Sequence, residues 1–329
     1  MPLLVILEHD RGELADAARE ALTAGRDLAE QMSVDLHAVV IGEGADDLTD
    51  EVEGYGAETI HVVTHHLLTD YGPDAWAESV RQLADELDAE AVMSVGTDRG
   101  NEVLAQLAAR TGLPFVANCT SIDASDDDSW SMTRVQWGGS LLEDATLQSD
   151  RKLVTFAHHA VAASEQSVAS GSASSLVEEF EPELDDSHAV TIIKDRVVET
   201  SGVTLSTAPV VISGGRGVGS ADGFAILDEL AELLGGRVGC SRAVTNNGWR
   251  PHADQVGQTG TRIAPEIYIA TGISGAIQHW VGAMASKRIL AINTDPEANM
   301  VTKADYAVIA DLHKVIPAIT AEVKRRKGL

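Results

Sequence analysis

The sequence predicts an α/β protein built from two three-layer α/β/α domains with mainly parallel sheets. Short apolar runs alternate with stretches of helical periodicity in both halves of the chain, which is typical of parallel sheets covered on both faces. The length of 329 residues suits two domains. Small polar and acidic residues between Ser164 and Asp186 predict a loop or linker. We expect an N-terminal domain of residues 1–200 and a C-terminal domain of residues 201–329.

The first half alternates strands with helices. Apolar or small residues recur every three or four positions in its predicted helices, which are Gly12–Met32, Asp74–Leu87 and Asn101–Thr111. The predicted strands are Leu3–Leu7, Leu36–Ile41, Thr59–Val63, Ala89–Val95 and Phe115–Ala117. No helical pattern separates the next two apolar runs, which predicts an antiparallel extension of the sheet by Trp130–Trp137 and Leu153–His158. A last strand is predicted at Val190–Val198.

The second half restarts the alternation with more glycine. Its predicted strands are Val210–Ile212, Val238–Ser241, Ile267–Ala270, Ile289–Ile292 and Ala307–Ile309. Its predicted helices are Gly223–Leu234, Ala276–Met284 and Leu312–Lys327. This order again predicts a parallel sheet with helices on both faces.

The charge balance excludes one class of partner. The net charge is −27, from 24 Lys and Arg against 51 Asp and Glu. Nucleic-acid binding requires clustered Lys and Arg, so we expect no nucleic-acid partner. Acids spread along the whole chain are typical of a salt-rich cytoplasm, where screening removes self-repulsion, and this suggests a halophilic protein. The apolar runs are too short for a membrane span or a signal peptide, so we expect a cytoplasmic protein that is not inserted in a membrane.

Cysteine and histidine spacing predicts no metal site. The two cysteines, Cys119 and Cys240, form neither a disulfide framework nor a metal pair, and we expect them to be buried and inert. Six histidines of the first half that lie in predicted strand ends or loops lack the spacing of metal ligands, namely His9, His65, His66, His158, His159 and His188.

Three glycine-rich turns follow strands of the second half, at Ser213–Gly219, Val256–Gly260 and Thr271–His279. In open α/β sheets, ligands bind at the carboxyl ends of the strands. Glycines let backbone N–H groups approach phosphates, and Ser274 is placed to cap the following helix. Three such turns in one domain indicate a dinucleotide-like ligand.

No acid–base pair accompanies these turns, although a hydride-transferring dehydrogenase would need one. Their surroundings instead contain the cations Arg216 and Arg242 and the histidine His279. Such groups are typical of a site that tunes a redox cofactor. The alternatives are a free-standing flavin or NAD dehydrogenase and a nucleotide-binding assembly module without redox chemistry.

A series of motifs in the second half resembles the FAD-binding domain of the electron-transfer flavoprotein alpha subunit, from about Pro209 to Pro317. The motifs, in chain order, are Val211–Gly217, Gly239–Ala243, Gln255–Gly260, Ala264–Ala270, Gly272–His279, Ala291–Ala298 and Ala304–Tyr306. The first half is similar to the family more loosely, at Leu4–His9 and Val95–Pro114. The resemblance implies a Rossmann-like FAD-binding domain, preceded by a nucleotide-hydrolase-like domain that contacts a beta subunit.

The same resemblance implies an electron carrier without its own organic substrate. The chain would form a heterodimer with a beta subunit that holds AMP, or a second FAD in bifurcating members. Its FAD would take electrons from dehydrogenases, such as the acyl-CoA dehydrogenases of fatty acid beta-oxidation, and pass them toward a membrane quinone oxidoreductase. A subunit of a bifurcating, NADH-oxidising flavoprotein is the alternative within the family.

Matching motif to motif implies roles for single residues. Arg216 would contact FAD near its phosphates or ribityl chain. Ser241 and Arg242 match a Ser-Arg pair whose arginine lies over the flavin ring and raises its potential. The pair Gln258 and Thr259 would place a hydroxyl at the flavin N5 edge.

The remaining matched residues would hold the other parts of the cofactor. Ser274, Gly275, Ala276, Ile277 and Gln278 would wrap the pyrophosphate. His279 would hydrogen-bond the pyrimidine carbonyl and add partial positive charge, while Asn293 and Asp311 would lie at the adenosine end. Val256, Gly257 and Leu312 complete the expected FAD site. The family's usual lysines are replaced by Thr261 and Thr294, which leaves the donor dehydrogenase open.

Overall fold

The computed structural model describes residues 1–126, 128–166, 175–191, 193 and 203–329. The chain divides into two compact units, Met1–Trp137 with Leu141–Val197 and Gly138–Ser140 with Val198–Leu329. The predicted strand Val190–Val198 falls largely outside the described residues, and its described positions Val190, Thr191 and Ile193 are not in a strand. The predicted boundary at residue 200 also lies outside them.

The first unit is built on a nine-stranded sheet. Its strands are β1 (Leu3–Leu7), β2 (Leu36–Ile41), β3 (Thr59–Val63), β4 (Ala91–Val95), β5 (Phe115–Asp123), β6 (Ser129–Gln136), β7 (Leu141–Gln148), β8 (Lys152–Phe156) and β9 (Leu176–Phe180). Its helices are α1 (Asp16–Met32), α2 (Thr49–Glu53), α3 (Pro73–Glu86) and α4 (Asp98–Thr111). The strand order is β7-β6-β5-β8-β4-β1-β2-β3-β9, and only the pairs β5–β6 and β6–β7 within it are antiparallel.

Both faces of this sheet are covered. Leu3, Val5 and Leu7 of β1 pack with α1 on one face, whereas Leu4 and Ile6 pack with α3 and α4 on the other. Alternate residues of one strand therefore enter two separate cores, which is why the strand is apolar throughout. The predicted α/β/α layering is confirmed.

Three details of the first unit differ from the sequence predictions. The extension of the sheet is antiparallel only at β6 and β7, since β8 runs parallel to β4. Strand β7 was not predicted, because all but one of its residues are at least partly exposed and its pattern does not alternate. Strand β9 occupies part of the predicted loop Glu178–Asp186, and it pairs with β3 while its acids face solvent.

The second unit is built on a five-stranded, all-parallel sheet. Its strands are β10 (Val210–Gly214), β11 (Arg237–Cys240), β12 (Ile267–Thr271), β13 (Ile289–Asn293) and β14 (Tyr306–Ile309). Its helices are α5 (Ala225–Leu234), α6 (Arg242–Asn246), α7 (Ile277–Ala283), α8 (Asn299–Lys303) and α9 (Leu312–Lys327). The strand order β11-β10-β12-β13-β14 reverses direction between β10 and β12.

Helices cover both faces of this sheet as well. Ile269 of β12 lies in a core with α5 and α9, whereas Tyr268 and Ala270 lie in a core that includes Ala283 of α7 and Met300 of α8. The second unit is therefore a doubly wound α/β domain, as predicted. Within the described residues, no helix combines the length and apolarity that crossing a membrane requires.

Candidate functional site

A cleft of about 730 Å³ opens at the carboxyl edge of the second sheet. Its walls come from the segments that follow all five strands, and the strand order reverses beneath it. The residues that line it are Arg216, Gly217, Ser241, Arg242, Ala243, Gly272, Ile273, Ser274, Gly275, Ala276, Gln278, His279, Ile292, Asn293, Thr294, Asp295, Ala298, Ala310, Asp311 and Leu312. Its volume and its position at the reversal are those of a cofactor site in an open α/β sheet.

The first glycine turn packs against the third. The N–H of Gly215 donates to the carbonyl of Thr271 at 2.8 Å, and a Cβ at Gly215 would lie only 2.2 Å from the carbonyl oxygen of Gly272. The glycine is therefore required by contact between two loops. Its N–H is already used, so the expectation that this turn offers its backbone to a phosphate is not met at Gly215.

The third turn does offer free backbone donors. The N–H groups of Ser274, Gly275, Ala276, Ile277 and Gln278 donate no hydrogen bond within the described part of the chain. Gly275 has φ +75°, and a Cβ there would lie 2.3 Å from the backbone nitrogen of Met300. Ser274 does not cap α7, because that helix begins one turn later with Ala276 at its N-cap. These five N–H groups can bind an anion such as a pyrophosphate.

Two cations lie at the ends of neighbouring strands. Arg216 follows β10 and Arg242 follows β11, and both side chains are exposed in the cleft wall. Neither guanidinium forms an ion pair with any residue that the structure describes. In a chain of net charge −27, unpaired arginines are available to an anionic ligand.

Asn293 and Asp311 line the cleft but also hold its walls. Asn293 donates through Nδ2 to the carbonyl of Ile273 at 2.9 Å, which fixes the loop between β12 and α7. Asp311 is the N-cap of α9 and accepts from the N–H of His313 at 2.9 Å. The sequence predicts a ligand contact for both residues. The structure shows that each also makes a hydrogen bond that supports the cleft wall.

Five predicted site residues lie outside the cleft lining, namely Val256, Gly257, Gln258, Thr259 and Ile277. The second glycine turn nevertheless contacts α7, because the N–H of Gln258 donates to the carbonyl of Gln278 at 2.7 Å. Ile277 is 53% exposed on the first turn of α7. The structure thus places the second turn beside the cleft.

His279 lies in the cleft wall but is turned into the protein. Its side chain is 6% exposed, and Nε2 lies 2.7 Å from the hydroxyl of Tyr268. Burial lowers the pKa of His279 to about 4, against a smaller opposing effect of the Val256 backbone. The ring is therefore neutral at pH 7. Its expected hydrogen bond to the pyrimidine carbonyl, with the partial positive charge of an N–H donor, stays a prediction. Burial likewise raises the pKa of Tyr268.

Comparisons with known proteins agree with this geometry. The profile described as electron transfer flavoprotein FAD-binding domain matches residues 204–284, and the electron transfer flavoprotein domain profile matches residues 3–185. The chain is 35% identical over 324 residues to an electron transfer flavoprotein subunit alpha of Thermoanaerobacterium thermosaccharolyticum, covering 98% of each chain. The chain belongs to the electron transfer flavoprotein alpha-subunit family.

Other members of the electron transfer flavoprotein alpha family show the same full-length similarity. Protein FixB of Bradyrhizobium diazoefficiens is 34% identical over 98% of this chain and 88% of its own length. The electron transfer flavoprotein subunit alpha of Bacillus subtilis is 34% identical over 98% of this chain and 97% of its own. The predicted family membership is confirmed.

The cleft fits the cofactor of an electron transfer flavoprotein FAD-binding domain. FAD combines a pyrophosphate with two flat ring systems, and the cleft extends along all five strand ends with five free N–H groups and two unpaired arginines. Sequence reasoning missed residues that support this wall from behind, above all Tyr268 and Gln255. Tyr268 is a polar aromatic residue with no exposed surface, and such residues usually have a hydrogen-bond partner.

Two further sequence predictions concern cysteine and histidine. Cys119 and Cys240 are buried free thiols, and burial raises the pKa of each to about 12, as expected of inert cysteines. The histidine spacing indicated no ligand cluster, but the fold brings one atom each of Glu20, His158 and His159 within 4.8 Å of one another. The centroids of the two imidazole rings are 3.6 Å apart, and Nδ1 of His159 lies 3.0 Å from the carboxylate of Glu20.

Proposed function

We propose that this chain binds FAD in the cleft of its second unit and serves as the FAD-holding alpha subunit of an electron carrier. The observation that supports this most strongly is the row of free N–H groups at Ser274–Gln278 beside the unpaired Arg216 and Arg242. Bound FAD would supply the one- and two-electron chemistry.

The residues of the cleft fall into three groups with different roles in FAD binding. The Ser274–Gln278 backbone binds the pyrophosphate, and Arg216 neutralises negative charge near it. Arg242 stabilises negative charge on the flavin ring and so raises its potential. Asn293 and Asp311 hold the walls at the adenosine end.

The titratable groups of the cleft favour a carrier over an enzyme with its own organic substrate. Those that line it, within the described residues, are Asp295, Asp311, His279 and the two arginines. His279 is neutral and bonded to Tyr268, while Asp311 caps α9. None is poised as one half of an acid–base pair of the kind that a free-standing dehydrogenase requires.

We propose the following electron route from the family resemblance. A beta subunit that holds AMP, or a second FAD, completes the heterodimer in the cytoplasm. Dehydrogenases such as acyl-CoA dehydrogenases donate the electrons, and a membrane quinone oxidoreductase accepts them.

Co-purification with the beta subunit tests this proposal. The complex should be yellow, contain FAD, and bleach with dithionite or with a reduced acyl-CoA dehydrogenase. Arg216→Ala should weaken FAD retention, whereas Arg288→Ala, at the opposite edge of the sheet, should not. A colourless complex that takes up no FAD would refute the proposal, and direct oxidation of NADH would indicate a bifurcating member instead.

A further inference from the structure

A turn that follows β8 in the first unit brings two histidine rings to the same side of the chain. His158 and His159 are consecutive, and consecutive side chains of an extended segment point in opposite directions. Here the ring centroids are 3.6 Å apart, and the ring planes are inclined by only 26°. His159 has φ +65°, in the left-handed region that residues other than glycine seldom adopt. The turn therefore stacks the two imidazoles.

Glu20 of helix α1 holds this turn by two contacts. Its Oε2 accepts a hydrogen bond from the backbone N–H of His159 at 2.7 Å, and its Oε1 lies 3.0 Å from Nδ1 of the same residue. The side chains are mostly buried, with 13% of Glu20 and 15% of His159 exposed. The two residues are 139 positions apart in the sequence, so spacing along the chain does not reveal the contact.

Three potential metal ligands meet at this point. One atom each of Glu20, His158 and His159 lies within 4.8 Å of the other two. No other three carboxylate, imidazole or thiol groups come this close together among the residues that the structure describes. An ion pair between Glu20 and a protonated His159 would account for one imidazole, but it would not account for the second imidazole beside it.

The distances suit a divalent transition metal. Zinc binds imidazole nitrogen at about 2.0–2.1 Å and carboxylate oxygen at about 2.0–2.2 Å, so two ligand atoms of one ion lie roughly 3–3.5 Å apart. The 3.0 Å between Oε1 of Glu20 and Nδ1 of His159 lies in this range. Nε2 of His159 is buried, so Nδ1 is the nitrogen that this ring offers. The third atom lies within 4.8 Å of both, and a shift of roughly 1 Å completes the set.

The types of ligand select the class of ion. Imidazole is a ligand of zinc, copper, iron and nickel, whereas Mg²⁺ and Ca²⁺ take oxygen ligands. A carboxylate beside two imidazoles also compensates part of the charge of an ion in a mostly buried position.

We propose that Glu20, His158 and His159 bind a divalent transition metal ion of the zinc class, with water completing its coordination. The ion links α1 to the turn after β8 and so stabilises the first unit. The site lies within the first unit and does not depend on the proposed function.

Zinc titration of the full-length chain by calorimetry tests this site. Molar KCl and excess Mg²⁺ in the buffer suppress zinc binding to the acidic surface. We expect one zinc ion per chain, and His158→Phe should weaken its binding at least about 100-fold. Phenylalanine keeps an aromatic ring against His159 and leaves both contacts of Glu20 with the turn in place. A loss of zinc binding therefore reports the missing nitrogen.

His65 and His66 provide a matched control. They are also consecutive, with ring centroids 4.2 Å apart, but no third ligand group joins them within the described residues. His66→Phe should bind zinc as wild type does. Zinc should raise the unfolding midpoint of wild type and of His66→Phe, but not that of His158→Phe. Absence of a stoichiometric zinc site in wild type, or equal zinc affinity in wild type and His158→Phe, would mean adventitious binding only and would overturn the proposal.

Discussion

The side-chain amide of Gln255 donates to the hydroxyl of Thr259 across 2.9 Å. The same amide accepts from the hydroxyl of Thr245 at 2.8 Å, and Gln255 itself is only 2% exposed. Gln255 therefore ties α6, which begins with Arg242, to the second glycine turn. Because Thr259 accepts from Gln255, its own hydrogen is free for another acceptor.

Replacing Gln255 with Leu should loosen this link. Two hydrogen bonds are lost, at about 1 kcal/mol each, so the free energy of unfolding should fall by roughly 2 kcal/mol. The visible spectrum of bound FAD should also change, because Thr259 loses its orientation. Thr245→Val is the matched control: it removes the hydroxyl contacts with Gln255 and with the carbonyl of Arg242 but keeps the bond from Gln255 to Thr259, so it should leave the spectrum unchanged. Identical spectra for both variants would argue against an orienting role of Gln255.

Arg242→Ala should lower the flavin potential. A unit charge at ~4–5 Å and an effective dielectric constant of ~20 would contribute roughly 3–4 kcal/mol, but Arg242 is exposed, and solvent reduces such interactions to about 1 kcal/mol. That value corresponds to roughly 20 mV for a two-electron couple. Redox titration of the complex measures it, with Arg288→Ala as the control. An unchanged potential in Arg242→Ala would place the guanidinium away from the ring.

Gly275→Ala should damage the cleft more than alanine at an unhindered glycine. At Gly248, with φ +69° and open space around a Cβ, alanine costs about 1 kcal/mol of backbone strain. Gly275 adds a collision with the Met300 backbone, which costs a further 1–3 kcal/mol. Denaturant unfolding and FAD retention should both be worse for Gly275→Ala than for Gly248→Ala. Equal losses of stability and FAD retention in the two variants would show that the backbone at Met300 shifts to accommodate the added Cβ at little cost.

Acid should destabilise the second unit through His279. Its folded pKa of about 4 lies below the unfolded value of 6.5, so the unfolded chain binds the proton first and stability is lost as the pH falls below about 6.5. Between pH 8 and pH 5 this group should remove about 2 kcal/mol. Denaturant unfolding at the two pH values should show a smaller difference for His279→Gln than for wild type. The exposed His313→Gln should behave as wild type; a His279→Gln chain with the wild-type pH dependence would contradict the prediction.

The acidic surface predicts dependence on salt. With a net charge of −27, self-repulsion in dilute buffer should lower the free energy of unfolding, and molar KCl should restore it by screening. Unfolding midpoints measured across a KCl series test this hypothesis of a halophilic protein. Full stability and activity in dilute buffer would contradict it.

Much of the architecture could be predicted because it rests on local apolar runs. Strands β1, β2 and β3 have the predicted bounds, since every residue in them except His37 of β2 is buried. Strand β7 could not be predicted in this way, because Leu147 is its one fully buried residue. Strand β9 depends on pairing with β3, which its own exposed side chains do not reveal.

The sequence predicted where the glycine turns of the site lie. It did not predict which groups the residues of those turns contact. The glycines marked the strand ends that form the cleft. Whether a glycine serves a ligand or a neighbouring loop depends on tertiary contacts, as Gly215 shows by its approach to Gly272. The burial that keeps the ring of His279 neutral, and its hydrogen bond to Tyr268, likewise depend on tertiary contacts.

Hydrogen–deuterium exchange on the complex with its beta subunit, with and without FAD, tests the central claim most directly. The N–H groups of Ser274–Gln278 are unpaired in this structure and should exchange slowly only when FAD is bound. Peptides that contain them should gain the largest protection in the second unit, and peptides of helix α5, which contributes no residue to the cleft lining, should gain little. FAD binding that leaves Ser274–Gln278 in fast exchange would contradict the assignment of this cleft.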